Sequence, residues 1–149
     1  KKMAAVTWTT DYNIKKKKKG TKCRITYSLH DLEPEKKHGF HIHEKPFQTS
    51  CSEAGSHYNP KGKKHGALDS KERHDGDLGN IEADAEGRSY NKIYVQLNLN
   101  DIIGKTIVLH EQEDDLGKNN TNESKTTGNA GERIDCAIIK RKVGFKLKC

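Results

Sequence analysis

Histidines are grouped along the chain at spacings that suit a metal centre. His41 and His43 form an H-x-H pair, and in a β-strand side chains two residues apart point to the same face. Further donors follow within one long stretch and at the end of an apolar segment: His57, His65, His74, Asp77 and His110. Imidazole nitrogen is a good ligand for copper and zinc, and three histidines with one carboxylate make a reasonable closed tetrahedral zinc site. These side chains are enough for two metal ions, a pattern that scattered surface histidines would not explain.

Short strands must position these donors. Segments 4–10 and 22–29 have alternating β-branched, aromatic and polar residues, and a lysine run ending at Gly20 separates them, which indicates a hairpin. Further strands are predicted at residues 39–43, 80–84, 92–97, 106–110 and 136–140. No segment has a sustained helical period, so the sequence predicts an all-β sandwich or barrel. The stretches 45–79 and 111–133 resist strand assignment, and loops of this length are usually functional or disordered.

Length and composition fit one domain over residues 1–149. Hydrophobic residues make up 31% and charged residues 33% of the chain, which suits strands with one face in water. No stretch approaches the roughly 20 apolar residues of a membrane span, and the first ten residues lack the apolar segment of a signal peptide. We therefore expect a cytoplasmic protein without a membrane partner.

The net charge of +7 favours anionic partners, which include nucleic acid, anionic lipid and a small anionic substrate. The lysine run at 15–19 is more typical of a solvated hairpin tip than of a nucleic-acid or polyanion patch. The basic end, residues 140–148, has the same two interpretations. Neither segment has the interleaved aromatic residues of a single-strand binding surface, so nucleic-acid or polyanion binding is disfavoured.

The four cysteines are Cys23, Cys51, Cys136 and Cys149. They form no C-x-x-C pair, which argues against a zinc ribbon and against a thioredoxin-type redox motif. Their spacing leaves one long-range disulfide open and does not choose its partners.

Several motifs occur together in a specific combination: H-G-F-H-I-H-E at 38–44, S-H-Y-N-P at 56–60, K-H-G at 64–66, E-R-H-D-G-D-L-G-N at 72–80, G-K-T-I-V-L-H-E at 104–111, D-D-L-G-K at 114–118 and T-G-N-A-G-E-R at 127–133. In these motifs the chain resembles the copper-zinc superoxide dismutases from about residue 4 to residue 139. The resemblance implies a single-domain Greek-key β-barrel or sandwich, Ig-like, with about eight antiparallel strands and two long functional loops. The basic tail, residues 140–149, lies outside the resemblance.

The resemblance also implies two metal sites per chain, one for copper and one for zinc. The residues that match the family's copper ligands are His41, His43, His57 and His110. The residues that match its zinc ligands are His57, His65, His74 and Asp77. The shared residue, His57, is then an imidazolate bridge that holds both ions.

Two further residues near the metal sites match family positions that bind no metal. Asp114 matches the aspartate that links the free ring nitrogens of His41 and His65, and such a partner fixes the tautomer and orientation of a ligand. Asp115 beside it is the competing choice. His38 matches a structural position, and we expect it to bind no metal.

The activity that the resemblance implies is the disproportionation of superoxide to dioxygen and hydrogen peroxide, by copper alternating between Cu(II) and Cu(I), for antioxidant defence. Arg133 matches the residue that attracts and orients the anion, and Thr127 matches a residue on the opposite rim of the substrate channel. His57 is the implied proton donor to the forming peroxide. Glu132 stands where an uncharged residue is usual, and its carboxylate is expected to weaken the local attraction for superoxide.

The disulfide and the subunit contact are likewise implied by the resemblance. Cys51 and Cys136 match the intrasubunit disulfide, which leaves Cys23 and Cys149 free. Family dimers pack through an apolar patch that corresponds to 102–104 and the last strand.

Partners follow from the same resemblance. We expect a homodimer, although Lys140 and Arg141 place charge where an apolar contact is usual, and unpaired buried charge is costly. A copper chaperone is a further candidate partner.

Two alternatives belong to other functional classes. One is a noncatalytic relative, either a copper-delivery domain or a decoy, but such proteins typically lose copper ligands or the active-site arginine, and the delivery type carries a C-x-C that this sequence lacks. The other is a polyanion-binding protein, motivated by the lysine run and the basic tail, whose affinity would fall steeply with salt.

Overall fold

The first two strands form the predicted hairpin. The computed structural model describes residues 5–11 and 22–140 of the chain. Within these residues, β1 (Ala5–Asp11) pairs antiparallel with β2 (Lys22–His30), in a register that places Ala5 opposite His30. The lysine run at 15–19 and the tail from residue 141 lie outside the described residues, so the expectations about them stay predictions.

Five further strands complete two antiparallel sheets. They are β3 (Lys37–His43), β4 (Asp77–Glu82), β5 (Ser89–Gln96), β6 (Thr106–His110) and β7 (Arg133–Ile138). The first sheet has the order β1-β2-β5 and the second the order β4-β3-β6-β7. At the edges β5 approaches β4 and β1 approaches β7. The predicted all-β class is confirmed as a sandwich, and the described residues form seven strands in two separate sheets rather than one closed barrel.

Several strands begin earlier than the sequence predicted. Three strands each start three residues early: β4 at Asp77 rather than 80, β5 at Ser89 rather than 92, and β7 at Arg133 rather than 136. Asp or Asn is among the first three residues of each, and these residue types are depleted in strands, so local propensity missed them. Three short helical segments were not predicted either, because four or five residues give no helical period: a 3-10 turn at Cys51–Ala54, α1 (Leu99–Ile102) and α2 (Asn122–Thr126).

Alternation along β3 separates the core from the histidines. Phe40 and Ile42 are fully buried in the core cluster, together with Leu109 of β6. His41 and His43 must then point to the opposite face of the sheet. They are also almost fully buried, because the two long loops, 44–76 and 111–132, cover that face. The metal-binding candidates therefore lie between the second sheet and its loops.

A disulfide ties the first long loop to the last strand. Cys51 and Cys136 are bonded with a Cα–Cα distance of 5.8 Å, across a sequence separation of 85 residues, which confirms the predicted pairing. On the chain-entropy model a bridge that closes a loop of this length stabilises the fold by about 4 kcal/mol.

The helices of the described residues are all too short to cross a membrane.

Candidate metal centre

Four histidines from two strands and one loop converge behind the second sheet. We call His41, His43, His57 and His110 the four-histidine set; each can offer one nitrogen such that the four atoms lie within 4.8 Å of one another. His43 Nε2 and His110 Nε2 are 3.3 Å apart. β3 supplies the first two residues and the end of β6 supplies His110, while an isolated bridge to His43 positions His57.

Hydrogen bonds fix which nitrogen each ring can offer in the four-histidine set. His43 Nδ1 donates to the carbonyl of Gly55 at 2.8 Å, and His110 Nδ1 donates to the carbonyl of Gly131 at 3.1 Å. Both rings therefore keep the lone pair of Nε2 for a ligand. His41 is held the other way round, since its Nε2 donates to a carboxylate and its Nδ1 is left free.

A second group forms around one buried carboxylate. We call His57, His65, His74 and Asp77 the Asp77 set. Asp77 Oδ1 lies 3.0 Å from His57 Nδ1, 2.9 Å from His65 Nδ1 and 3.3 Å from His74 Nδ1, and the Nδ1 atoms of His57 and His74 are 3.0 Å apart. Donors bound to one tetrahedral zinc ion at about 2.0–2.1 Å are roughly 3.3 Å apart, so these separations fit the edges of such a site.

The donors of the Asp77 set can also be grouped differently. Nitrogens of His41 come within 4.8 Å of donor atoms of His57, His65 and Asp77. We favour His74 as the fourth member, because its Nδ1 is only 3.0–3.3 Å from its neighbours and the ring of His41 is already held on the other side. His57 belongs to both sets, and its Nδ1 faces Asp77 while its Nε2 remains for the four-histidine set.

Asp114 connects the two sets by accepting hydrogen bonds from one histidine of each, on the ring nitrogen that faces away from the set. Its carboxylate accepts from His41 Nε2 at 2.5 Å and from His65 Nε2 at 2.7 Å, and it is 2% exposed. The side-chain amide of Asn80 fixes its backbone, donating to Asp114 O at 2.9 Å and accepting from Asp114 N at 2.7 Å. Asp115 faces elsewhere and accepts from Ser124 Oγ at 2.8 Å.

Two buried nitrogens test whether metal ions suit these residues. His41 Nδ1 and His65 Nδ1 are buried without a hydrogen-bond partner, although the latter lies 2.9 Å from Asp77 Oδ1. A buried polar atom without a partner is costly. One of these atoms faces each donor set, so a bound cation in each set would satisfy both, and the residues present fit copper and zinc.

Burial controls the protonation of the four-histidine set. Desolvation lowers the pKa of His43 to about 2, helped by the nearby His57, and lowers the pKa of His110 to about 4. Burial also lowers the pKa of His41 and of His57. These rings are neutral at pH 7, which is the state that binds a metal.

In the Asp77 set, unlike the four-histidine set, two members are held in their charged forms. Burial alone would raise the pKa of Asp77, but the three histidine rings that face its carboxylate at 2.9–3.3 Å hold it well below its ordinary value. Burial alone would lower the pKa of His65, but the hydrogen bond to Asp114 and the nearby carboxylate of Asp77 raise it to about 9. A carboxylate charged in this way attracts a divalent cation.

An open pocket of about 710 Å³ leads to His43, His57 and His110. Arg133 lies in its wall, where its guanidinium donates to the carbonyls of Cys51 at 2.8 Å and Gly55 at 2.5 Å. The other charged residues of the wall are Glu44, Lys63, Lys64 and Lys125. Cations therefore outnumber anions around the opening.

Thr127 also lines the pocket, where its hydroxyl donates to the carbonyl of Glu123 at 3.0 Å. Glu132 is exposed and is not among the residues of the wall. His38 is buried away from both sets and donates from Nδ1 to the carbonyl of His110 at 2.7 Å. The structure thus brings together every predicted metal ligand with Asp114, Arg133 and Thr127.

Sequence reasoning missed supporting residues that act through shape or backbone. A side chain at Gly128 would collide with Asp114 and His65, so only glycine allows this loop to close over them. Asn80 and the wall lysines Lys63 and Lys64 were not singled out either. Gly128 and Asn80 fall inside the recognised motifs, which is the signal that could have found them.

Sequence comparison with known proteins identifies the family of this chain. A family model described as copper/zinc superoxide dismutase matches residues 9–139. Cu-Zn superoxide dismutase 5 of Dictyostelium discoideum is 48% identical over 110 residues, which cover 70% of this chain and 72% of that protein. The human copper chaperone for superoxide dismutase is 43% identical over 126 residues, which cover 83% of this chain but only 46% of the chaperone.

A solved structure agrees with these matches. The crystal structure of the clock protein EA4 superposes with a TM-score of 0.81 at 35% sequence identity, covering 93% of this chain and 87% of that one. With the family model matching most of the chain, the fold, the two donor sets and these relatives lead to one conclusion: the chain belongs to the copper/zinc superoxide dismutase family.

Proposed function

We propose that the protein is a superoxide dismutase that converts two superoxide ions and two protons to dioxygen and hydrogen peroxide, in antioxidant defence. The observation that carries this proposal is the position of His57, whose ring lies between two complete donor sets. Sharing one imidazole between two metal ions is the arrangement that the family resemblance predicts.

The two sets differ in the ion that they suit. The four-histidine set, with its neutral imidazoles, would hold copper, and the Asp77 set, with one carboxylate and three histidines, would hold zinc. Copper bound there would supply one-electron redox chemistry to the reaction of two superoxide ions. The residues around it govern access, orientation and protons.

Arg133 is the proposed substrate-binding group. It lines the same pocket as His43, His57 and His110, and its guanidinium keeps a fixed place through two backbone carbonyls. A fixed positive charge there attracts and orients a small anion, and the lysines of the wall extend the attraction outward. Thr127 narrows the approach from the pocket wall.

His57 is the proposed proton donor. Its Nδ1 is held against Asp77 and His74 at 3.0 Å, so only Nε2 can exchange a proton with a molecule in the pocket. The pocket connects this ring to solvent, from which the proton can be replaced.

A homodimer is the proposed assembly. Ile138 is half-buried in the wall of an apolar groove of about 480 Å³, next to Lys140, and the buried Ile102 and Ile139 also line it. The exposed part of this groove suits an apolar contact with a second copy of the chain. Sedimentation of the purified protein at several concentrations tests the assembly directly.

Copper delivery is the competing function, and the identity with the human chaperone is what favours it. Delivery requires that copper leave readily, whereas this chain keeps all four imidazoles and the arginine of a turnover site. A domain that only transfers copper would not consume superoxide.

The test is metal content and superoxide consumption on one purified sample loaded with copper and zinc. We expect one copper and one zinc per chain, and disproportionation of superoxide that is faster than the uncatalysed reaction in the same buffer. Full metal loading without dismutation would contradict the enzyme and favour delivery. Failure to retain either metal would contradict the site assignment itself.

A further inference from the structure

A short capped turn lies beside the candidate metal centre. The 3-10 turn Cys51–Ala54 begins with Ser50, whose hydroxyl accepts from Ser52 N at 3.3 Å. Glu53 completes a capping box, and its Oε2 accepts from the backbone N–H groups of Gln48 at 2.9 Å, Thr49 at 2.8 Å and Ser50 at 2.9 Å. One carboxylate oxygen thus accepts hydrogen bonds from three successive backbone N–H groups.

Both ends of this turn present carbonyls to the proposed active site. Cys51 O accepts from one nitrogen of Arg133 at 2.8 Å and Gly55 O accepts from another at 2.5 Å. Gly55 O also accepts from His43 Nδ1 at 2.8 Å. The direction of two peptide planes therefore sets the place of the substrate arginine and the orientation of one histidine of the four-histidine set.

Apart from the Glu53 carboxylate, the start of the turn is held by short-range contacts of Ser50, whose carbonyl accepts from Glu53 N at 3.1 Å and whose hydroxyl lies 2.9 Å from Ser52 Oγ. Residues 44–46, 48–50, 52 and 53 are exposed, so burial does not fix this segment. The disulfide holds the sulfur of Cys51 and does not by itself set the direction of its carbonyl. Ala54 is fully buried and anchors the far end of the turn. At the near end the carboxylate of Glu53 is the side-chain group that joins three successive peptides, those of residues 48–50.

We propose that Glu53 is a positioning residue for anion binding, acting through the turn on Arg133 and His43. It touches neither substrate nor metal, and the proposal rests on the function proposed above for Arg133. Hydrogen bonds from three peptides lower the pKa of Glu53 to about 2, so the cap is charged throughout the neutral range.

The sign of the effect separates positioning from simple charge. Removing a carboxylate near an anion pocket should strengthen anion binding if only its charge matters. Loss of positioning should weaken it. Glu132→Gln is the matched control, because it removes the same charge beside Arg133 from an exposed side chain outside the pocket wall.

The experiment measures azide binding to the copper- and zinc-loaded protein by optical titration, for native protein, Glu53→Ala, Glu53→Gln and Glu132→Gln. We expect the dissociation constant of Glu53→Ala to rise about three- to tenfold, since a misplaced unit charge at several ångströms is worth about that factor. Glu53→Gln should lie between, because its amide oxygen still accepts hydrogen bonds. Glu132→Gln should bind azide equally well or more tightly.

Amide exchange at residues 48–50 checks that the cap is lost in Glu53→Ala, and peptide mapping checks that the disulfide is intact. Azide affinity that is unchanged or tighter in Glu53→Ala would overturn the proposal. If that variant does not load copper, weaker azide binding in Glu53→Gln than in Glu132→Gln supports it and equal binding overturns it. Absence of dismutation by the native protein would refute the enzyme alone, since the azide comparison stands without turnover.

Discussion

The two donor sets are built by different parts of the fold. β3 and β6 carry three members of the four-histidine set, and these strands pair over residues 40–43 and 106–109, with Phe40 opposite Leu109 and Ile42 opposite Ile107. The Asp77 set takes His65 and His74 from the first long loop and only Asp77 from a strand end. Sheet pairing therefore positions one set, while the other depends on contacts that its own donors make.

The hydrogen-bond partners of the two sets differ in the same way: one set is held by the fold and the other mainly by groups within its own loop. In the four-histidine set, His43 and His110 donate to backbone carbonyls, which exist whether or not a metal binds. In the Asp77 set the atoms that would bind the metal lie against one another, 2.9–3.3 Å from Asp77 Oδ1, and their other partners are Asp114 and the backbone N–H groups of Gly66 and His74 in the same loop. We infer that the first set is largely preorganised and that zinc completes the second.

Metal removal should give the largest contrast between the sets. Without zinc the contacts that hold residues 61–76 are weakened, whereas the ladder of β3 and β6 is unaffected. We expect amide exchange in 61–76 to accelerate by about a hundredfold or more on chelation, with the amides of β6 keeping their protection. Equal acceleration in both regions would show that the sets are equally dependent on metal.

Single ligand variants should separate the two ions. His74→Ala or Asp77→Ala should lower zinc affinity by about a hundredfold, since one of four ligands of a site worth roughly 10–16 kcal/mol is lost. Copper should remain in both variants. His43→Ala is the matched change in the other set and should lose copper first. Metal analysis after dialysis measures both ions, and full zinc in the two Asp77-set variants would refute the assignment.

Asp114→Asn tests the link between the sets. An amide cannot accept from His41 and His65 with both of its polar atoms, so one ring loses its orientation. We expect about 10- to 100-fold weaker binding of at least one ion. Asp115→Asn is the control, because Asp115 accepts hydrogen bonds from Ser124 and Asn119 and from no member of the two metal-binding sets. Similar metal affinities in the two variants would remove Asp114 from the centre.

How much the sequence could predict follows the same division. The H-x-H pair, the apolar alternation of β3 and the apolar run of β6 are local patterns, so the strands and the direction of His41 and His43 could be predicted. The start of β4 at Asp77 could not, because the polar residues there are buried only by distant loops. The assignment of Asp114 rather than Asp115 came from motif register, and local propensity offers no preference between two adjacent aspartates.

Supporting contacts were the least predictable part of the site. Glu53 acts by accepting from three backbone N–H groups, and backbone contacts leave no residue pattern beyond the S-x-x-E of a capping box at Ser50. Gly128 matters through the side chain that it lacks. Such residues become visible only when the loops are folded over the sheet.

Arg133→Ala is expected to have the smallest effect, because Arg133 belongs to neither donor set. Its side chain contacts backbone carbonyls and no metal ligand, so both ions should remain bound. One unit charge at several ångströms contributes on the order of 1 kcal/mol in water, so dismutation should slow by roughly tenfold. Stopped-flow measurement on fully loaded protein gives this rate.

Ionic strength shows whether that tenfold loss is electrostatic. At 0.1 M salt the Debye length is about 10 Å, so salt should slow the native protein by screening the approach of superoxide. Arg133→Ala should respond less, since it has less charge to screen, while Glu132→Gln should be modestly faster than native protein at low salt and equal to it at high salt. If Arg133→Ala kept the native rate with copper occupancy verified, the attraction would have to come from the lysines of the pocket wall. The guide for the anion would then be Lys63, Lys64 or Lys125 rather than Arg133, and the turn at Cys51–Ala54 would have no role in attracting it.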